Sequence, residues 1–114
     1  MTYRGSRGDV VWLRVDNIEG GLGKPHPAIV ISSDTFNDSH PYGFIVRGSS
    51  RVPAHLAPDE YVIERALDNG LDADTVFLPI IQSAEWTRVL KKVGAVTPYQ
   101  LGQIMGRLRG ILEL

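Results

Sequence analysis

Residues 22–34 read LGKPHPAIVISSD. The second half, PAIVISS (27–33), is an almost unbroken run of apolar, largely β-branched residues, which predicts a short strand buried on both faces. The first half sets the entrance to that strand. Each proline fixes its own φ and pushes the residue before it toward an extended backbone, so Lys24 and His26 are held in a stiff segment. The chain is expected to build a sheet around this strand, with a histidine rigidly presented at its mouth.

Working outward, DVVWLRV (9–15) has strand composition, with Val11, Leu13 and Val15 on one face and Val10, Trp12 and Arg14 on the other. The intervening Asn17–Gly23 segment, NIEGGLG, is a glycine-rich loop. After a turn-rich SDTFNDSHPY come GFIVRGSS (43–50), EYVIE (60–64) and TVFLPII (75–81), all strand-like, and Pro79 inside the last predicts an edge or a bulge. A short helical turn is expected at Ser83–Leu90, followed by a short strand, KVGAV. The period then changes. Thr97, Pro98 and Gln100 supply an N-cap, a first-turn proline and a capping-box partner, and apolar residues at helical spacing extend from Leu101 to Leu112. Residues 98–112 are therefore predicted to form an amphipathic helix. Gly102, Gly106 and Gly110 recur every fourth position on it, each costing about 1 kcal/mol against alanine, a cost that implies close backbone approach by the chain's own sheet or by a second subunit. The fold class is mainly β (α+β): a small, SH3-like, curled antiparallel barrel of short strands with a C-terminal helix.

The chain has 114 residues and is 43% hydrophobic, enough for one domain, 1–114, with one core. It has no cysteine, which excludes disulfides, thiolate metal sites and cysteine nucleophiles. The opening residues contain no apolar stretch long enough for a signal peptide or a membrane span, so a soluble, cytoplasmic protein is expected. The formal net charge of -1 conceals segments: +1 over residues 1–51, -6 over 52–87 and +4 over 88–114. Overall charge does not announce a nucleic-acid partner; one would be held by a local cluster from the basic ends.

Several motifs fail on inspection. GGLGKP lacks the hydroxyl residue of a phosphate loop, and Pro25 removes an amide donor. Asn37-Asp38-Ser39 is a sequon without a secretory signal, and Arg7-Gly8-Asp9 reads as a turn entering the first strand. The three histidines have no metal-ligand spacing. What remains is LGKPHP, the serines of RGSSR and the glycine-rich loop. If the second and third strands pair antiparallel, His26 and Lys24 come beside Ser49, Ser50, Arg47 and Arg51. That group unites a proton-transfer residue, hydroxyl donors and fixed positive charge, the parts needed to cleave RNA without a metal. A packed histidine and serines that merely end a strand are the plain alternative.

RGDVVWLRV, the glycine-rich loop, HPAIVISSDTFN, the strand ending in RGSS, NGLDADTVFLPIIQSAEWTRVLKKVGAVT and QLGQIMGRLRGILEL follow one another as in the MazF/PemK family of toxin endoribonucleases, which the chain resembles over nearly its whole length. The resemblance implies a homodimer and metal-independent, cofactor-free cleavage of single-stranded RNA at short sequences, leaving 2′,3′-cyclic phosphate and 5′-hydroxyl ends. It also implies neutralisation by a cognate antitoxin whose extended tail lies over the RNA groove. The family's arginine at the start of the second strand falls on His26, and its hydroxyl residue on Ser49, with Ser50 the one-residue alternative. Lys24, Arg47 and Arg51 are left to contact RNA, and Asn17 and Glu19 to line the loop that gates the groove. Histidine suits the base by its ordinary pKa of about 6.5, yet it is shorter than arginine and has no bidentate fork for phosphate. The competing readings are an attenuated or non-catalytic member that only pairs with an antitoxin, a CcdB-like gyrase poison, and an adaptor that binds an extended peptide at an edge strand. The chain ends GILEL rather than in the Trp-Gly-Ile tail of CcdB-type poisons, which argues against the second of these.

Overall fold

The structure, a computed structural model, describes residues 2–16 and 22–114. Strand β1 (Asp9–Asp16) pairs with β2 (Leu22–Val30); helix α1 (Asp34–Ser39) leads to β3 (Tyr42–Ser49); β4 (Tyr61–Ile63), β5 (Thr75–Glu85) and β6 (Val89–Ala95) complete the sheet, and α2 (Pro98–Leu112) closes the chain. The strand order is β4-β5-β3-β2-β1-β6, every pairing antiparallel, and the sheet curls into a half-barrel. The mainly β class and the C-terminal helix are as the sequence predicts.

Strand alternation divides the core. One sheet face carries Val10, Ile29, Val46 and Phe77 and is covered by Ile104 and Leu108 of α2. The other carries Val11, Leu13, Ala28, Val30, Ile45 and Ala84 and is closed by Trp86. Trp86 is 2% exposed and donates from Nε1 to the carbonyl of His40 at 3.1 Å. Its ring lies over Gly43, where any Cβ would collide with it, which is why β3 carries glycine there.

Several boundaries differ from the sequence reading. β2 begins at Leu22, so Pro25 and Pro27 lie inside a strand, opposite Arg14 and Trp12 of β1. This is tolerated because β3 pairs only with Ala28–Val30, leaving the first half of β2 open on that side, where a missing N–H costs nothing. The turn-rich segment contains α1, capped by Ser33, whose Oγ accepts from the Phe36 amide at 3.2 Å. The helical turn expected at Ser83–Leu90 shrinks to one 3-10 turn, Trp86–Arg88, because Ser83–Glu85 continue β5 against Tyr42–Phe44. Pro79 does occupy a bulge: between the pairs Val46–Ile81 and Gly48–Phe77, β5 spends three residues where β3 spends one.

The capping box of α2 forms as read, with Thr97 Oγ accepting from the Gln100 amide at 3.1 Å and Gln100 Oε1 from the Thr97 amide at 3.0 Å. Of the two partners expected for the glycine stripe, the chain's own sheet is not one: a Cβ built at Gly102, Gly106 or Gly110 meets nothing of the described chain within 4 Å. The helix turns its other side, Ile104 and Leu108, to the sheet, so the stripe does not serve close packing against it. Two sequence motifs are also accounted for. Asn37 is fully buried, with Nδ2 donating to the carbonyls of Gly5 and Ser32, and so does not present a glycosylation site. Asp9 of the Arg-Gly-Asp triplet accepts from Tyr3 Oη at 2.5 Å and the Ser6 amide at 3.0 Å and pairs with Lys92 Nζ at 3.2 Å. Among the described residues no helix is long and apolar enough to cross a membrane.

Candidate functional site

Register creates the site. β2 and β3 pair Ala28 with Arg47, Ile29 with Val46 and Val30 with Ile45, and the same count carried toward the open end sets His26 across from Ser49. Beyond Ala28 the two strands part around a cavity of about 560 Å³, large enough for a nucleotide. Lys24, His26, Ser49, Ser50 and Arg51 line it. Five of the eight residues nominated from sequence are thus brought together. Arg47 does not line the cavity, but it lies on the same sheet face as His26, near enough for its charge to be felt there. Asn17 and Glu19 lie outside the described residues.

The side chains are differently prepared. His26 is half-buried, and burial first, then the positive charge of Arg47, holds its pKa below the ordinary 6.5. The imidazole is accordingly neutral at pH 7 and able to accept a proton. Ser49 Oγ accepts a hydrogen bond from the Arg51 amide at 3.1 Å, which pins the hydroxyl and leaves its O–H to donate elsewhere. Ser50, Lys24 and Arg51 are exposed and can follow a ligand. Among the described residues no group of three or more His, Asp or Glu side chains is arranged to hold a metal ion.

The cavity also contains residues that the sequence reading left out. Trp12, Pro25 and Pro27 form one apolar wall, and Leu71, Asp72 and Ala73 of the loop before β5, with Thr75 at the start of β5, form another side. Trp12 had no legible signal, since β1 alternation puts it on the face opposite Leu13, the partner of His26, and it reaches the cavity as the partner of Pro27. The 71–75 segment had none either: it lies more than 20 residues from Ser49 along the chain, and the β3–β5 pairing, which sets Ser49 opposite Val76, brings it back.

Residues 6–112 match the family model described as "PemK-like, MazF-like toxin of type II toxin-antitoxin system". The chain belongs to the PemK/MazF family of toxins. No curated protein sequence matches it. Among solved structures, MazF of Deinococcus radiodurans is similar at 23% identity and a TM-score of 0.77, covering 98% of this chain and 99% of that one. An endoribonuclease from a mycobacterial species, in complex with its cognate antitoxin, is similar at 18% identity and a TM-score of 0.74, with 96% of each chain covered. The Mycobacterium tuberculosis toxin MazF-mt6 is similar at 12% identity and a TM-score of 0.74, covering 93% of this chain and 97% of that one. At these identities the likeness establishes the curled half-barrel of the toxin, while its chemistry has to be argued from its own residues.

Proposed function

We propose that this toxin is a metal-independent endoribonuclease that cuts single-stranded RNA in the cavity between β2 and β3. The observation that carries the reading is the convergence, in a PemK/MazF chain, of a neutral histidine, a hydroxyl with a free donor and exposed cations on one nucleotide-sized cavity. His26 takes the proton of a ribose 2′-hydroxyl, and the 2′ oxygen attacks the adjacent phosphorus. Ser49 donates to a non-bridging oxygen, with Lys24 and Arg51 offsetting the charge that builds on the phosphate. The bond from phosphorus to the 5′ oxygen breaks, that oxygen takes up a proton, and the ends are a 2′,3′-cyclic phosphate and a 5′-hydroxyl. Arg47 acts on the base rather than on the phosphate, by keeping His26 unprotonated.

Two partners complete the reading. A cognate antitoxin is proposed to lay an extended, acidic tail over the same cations, as befits a family whose solved relatives include a toxin bound to its antitoxin. The unfilled glycine stripe, beside exposed Tyr99 on α2, is proposed to face a second copy in a homodimer.

Purified toxin incubated with RNA in EDTA should produce fragments with these ends. His26→Ala should slow cleavage by about 10²-fold or more, the usual contribution of a positioned base. RNA left intact across a broad set of sequences would overturn the proposal, and DNA breaks trapped on a topoisomerase would replace it with the gyrase reading.

A further inference from the structure

Asp72 sits where a carboxylate ought to hinder an RNA-binding site. It lines the cavity of His26 and Ser49, and also an adjoining cavity of about 570 Å³ that shares Trp12, Lys24 and Pro25 with the first. A phosphate placed beside it would be repelled. Its neighbours are occupied in holding the loop: Asn69 Oδ1 accepts from the Ala66 and Leu71 amides, Asp74 Oδ1 accepts from the Arg65 amide, and Thr75 Oγ1 donates to the Ala73 carbonyl. Asp72 takes no part in this. Among the described residues it has no hydrogen-bond or ion-pair partner, Lys24 included, although the two line the same two cavities. The loop is built without it, and its acceptors are directed to nothing within the described chain.

We propose, on the endoribonuclease reading above, that this cavity is a nucleobase pocket in which Asp72 selects guanine at one of the two nucleosides flanking the scissile phosphate. Trp12 and the two prolines offer apolar surface to the flat face of a base, the usual way an unpaired base is held. The carboxylate then meets an edge rather than a phosphate. A carboxylate only accepts, through two oxygens. Guanine alone presents two adjacent donors on its Watson–Crick edge, N1–H and the N2 amino group, and these match it in bidentate fashion. Adenine and cytosine present one amino donor beside a ring-nitrogen acceptor, and uracil one N–H between two carbonyls, so each would set a lone pair against the carboxylate. Lys24 and Arg51, around the same cavity, are left for the phosphates on either side of that base.

The test maps cut sites of wild type, Asp72→Ala and Asp72→Asn on a single-stranded RNA library of random sequence. In parallel, binding is measured to uncleavable 2′-O-methyl oligonucleotides carrying guanine or inosine, which lacks the N2 amino group, at the preferred position. Wild type should require guanine at one fixed position beside the cut, and Asp72→Ala should cut other bases there with its preference reduced about tenfold or more, a bidentate pair's usual share. Asp72→Asn, with the same shape but one acceptor exchanged for a donor, should also lose the preference. Inosine should weaken binding to wild type and not to Asp72→Ala. An unchanged base preference in both variants, with cleavage intact, would overturn this assignment and leave the endoribonuclease reading standing. RNA neither cut nor bound by wild type would sink that reading and this one with it.

Discussion

His26 and Arg47 project from the same sheet face on adjacent strands, and the guanidinium, second to burial, keeps the imidazole below its ordinary pKa. A base of this kind works only when unprotonated. Cleavage should therefore be pH-independent near neutrality and fall only at acid pH, with the midpoint of the acid limb below 6.5. Removing the charge in Arg47→Ala should move that limb upward, though not to the ordinary value, because burial remains. Initial rates on one RNA, taken from acid to neutral pH, would measure both; an acid limb at or above 6.5 in wild type would deny His26 the role of base.

The same shift bears on stability. The folded imidazole resists protonation more than the unfolded one, so the unfolded chain binds the extra proton more readily. The contribution of His26 is fully present above pH 6.5 and is lost as pH falls from there through the lower folded value. His26→Gln should flatten this part of the profile, read as the urea midpoint against pH.

Exchanging the histidine for the arginine that the family resemblance implies at this position tests what histidine does there. An arginine side chain in place of His26 would regain a bidentate grip on phosphate but lose a base that is neutral at pH 7. If histidine is the working base, His26→Arg should lower the cleavage rate at saturating RNA while tightening binding. A rise in rate instead would mean that histidine attenuates this member.

Most of the sheet and all of α2 were legible, because β-branched runs and a Thr-x-x-Gln cap are local signals. Lys24, His26, Ser49, Ser50 and Arg51 were legible as a group because one antiparallel pairing suffices to join them. The joint placement of Trp12 and Asp72 was not, since it depends on β1–β2 register together with the return of β5, two long-range relations that no spacing encodes. α1 was hidden by Asn, Asp and Ser, residues of turns, which here form a short helix because buried Asn37 ties it to Gly5 and Ser32. Pro25 and Pro27 misplaced the start of β2, because a proline ends a strand only where a neighbour needs its N–H.

Gly43 tests the Trp86 closure. A methyl group there would meet the indole ring and Ser32 Oγ, and the indole is itself packed into the core. Gly43→Ala should cost about 1–3 kcal/mol, typical of overpacking, lowering the urea midpoint without altering its slope. An unchanged midpoint would mean that Trp86 shifts freely and does not lock the Leu13 side of the core.

Gly106 gives a test in which two effects have opposite signs. Within the described chain an added methyl meets nothing within 4 Å, and alanine at an exposed helical position is favoured over glycine by about 1 kcal/mol. Were α2 to face solvent in the working toxin, Gly106→Ala would simply raise the thermal midpoint, and Gly102→Ala would add to it. Were the stripe the seam of a homodimer, the methyl groups would hold the two backbones apart. The double variant would then dissociate at higher protein concentration than wild type, by about tenfold or more if contact is lost over one helical turn, even as each monomer's helix becomes intrinsically more stable. Sedimentation equilibrium on wild type and the double variant, with thermal melts at two protein concentrations, separates the two effects. A midpoint that rises equally at both concentrations, with unchanged association, would remove α2 from the dimer interface.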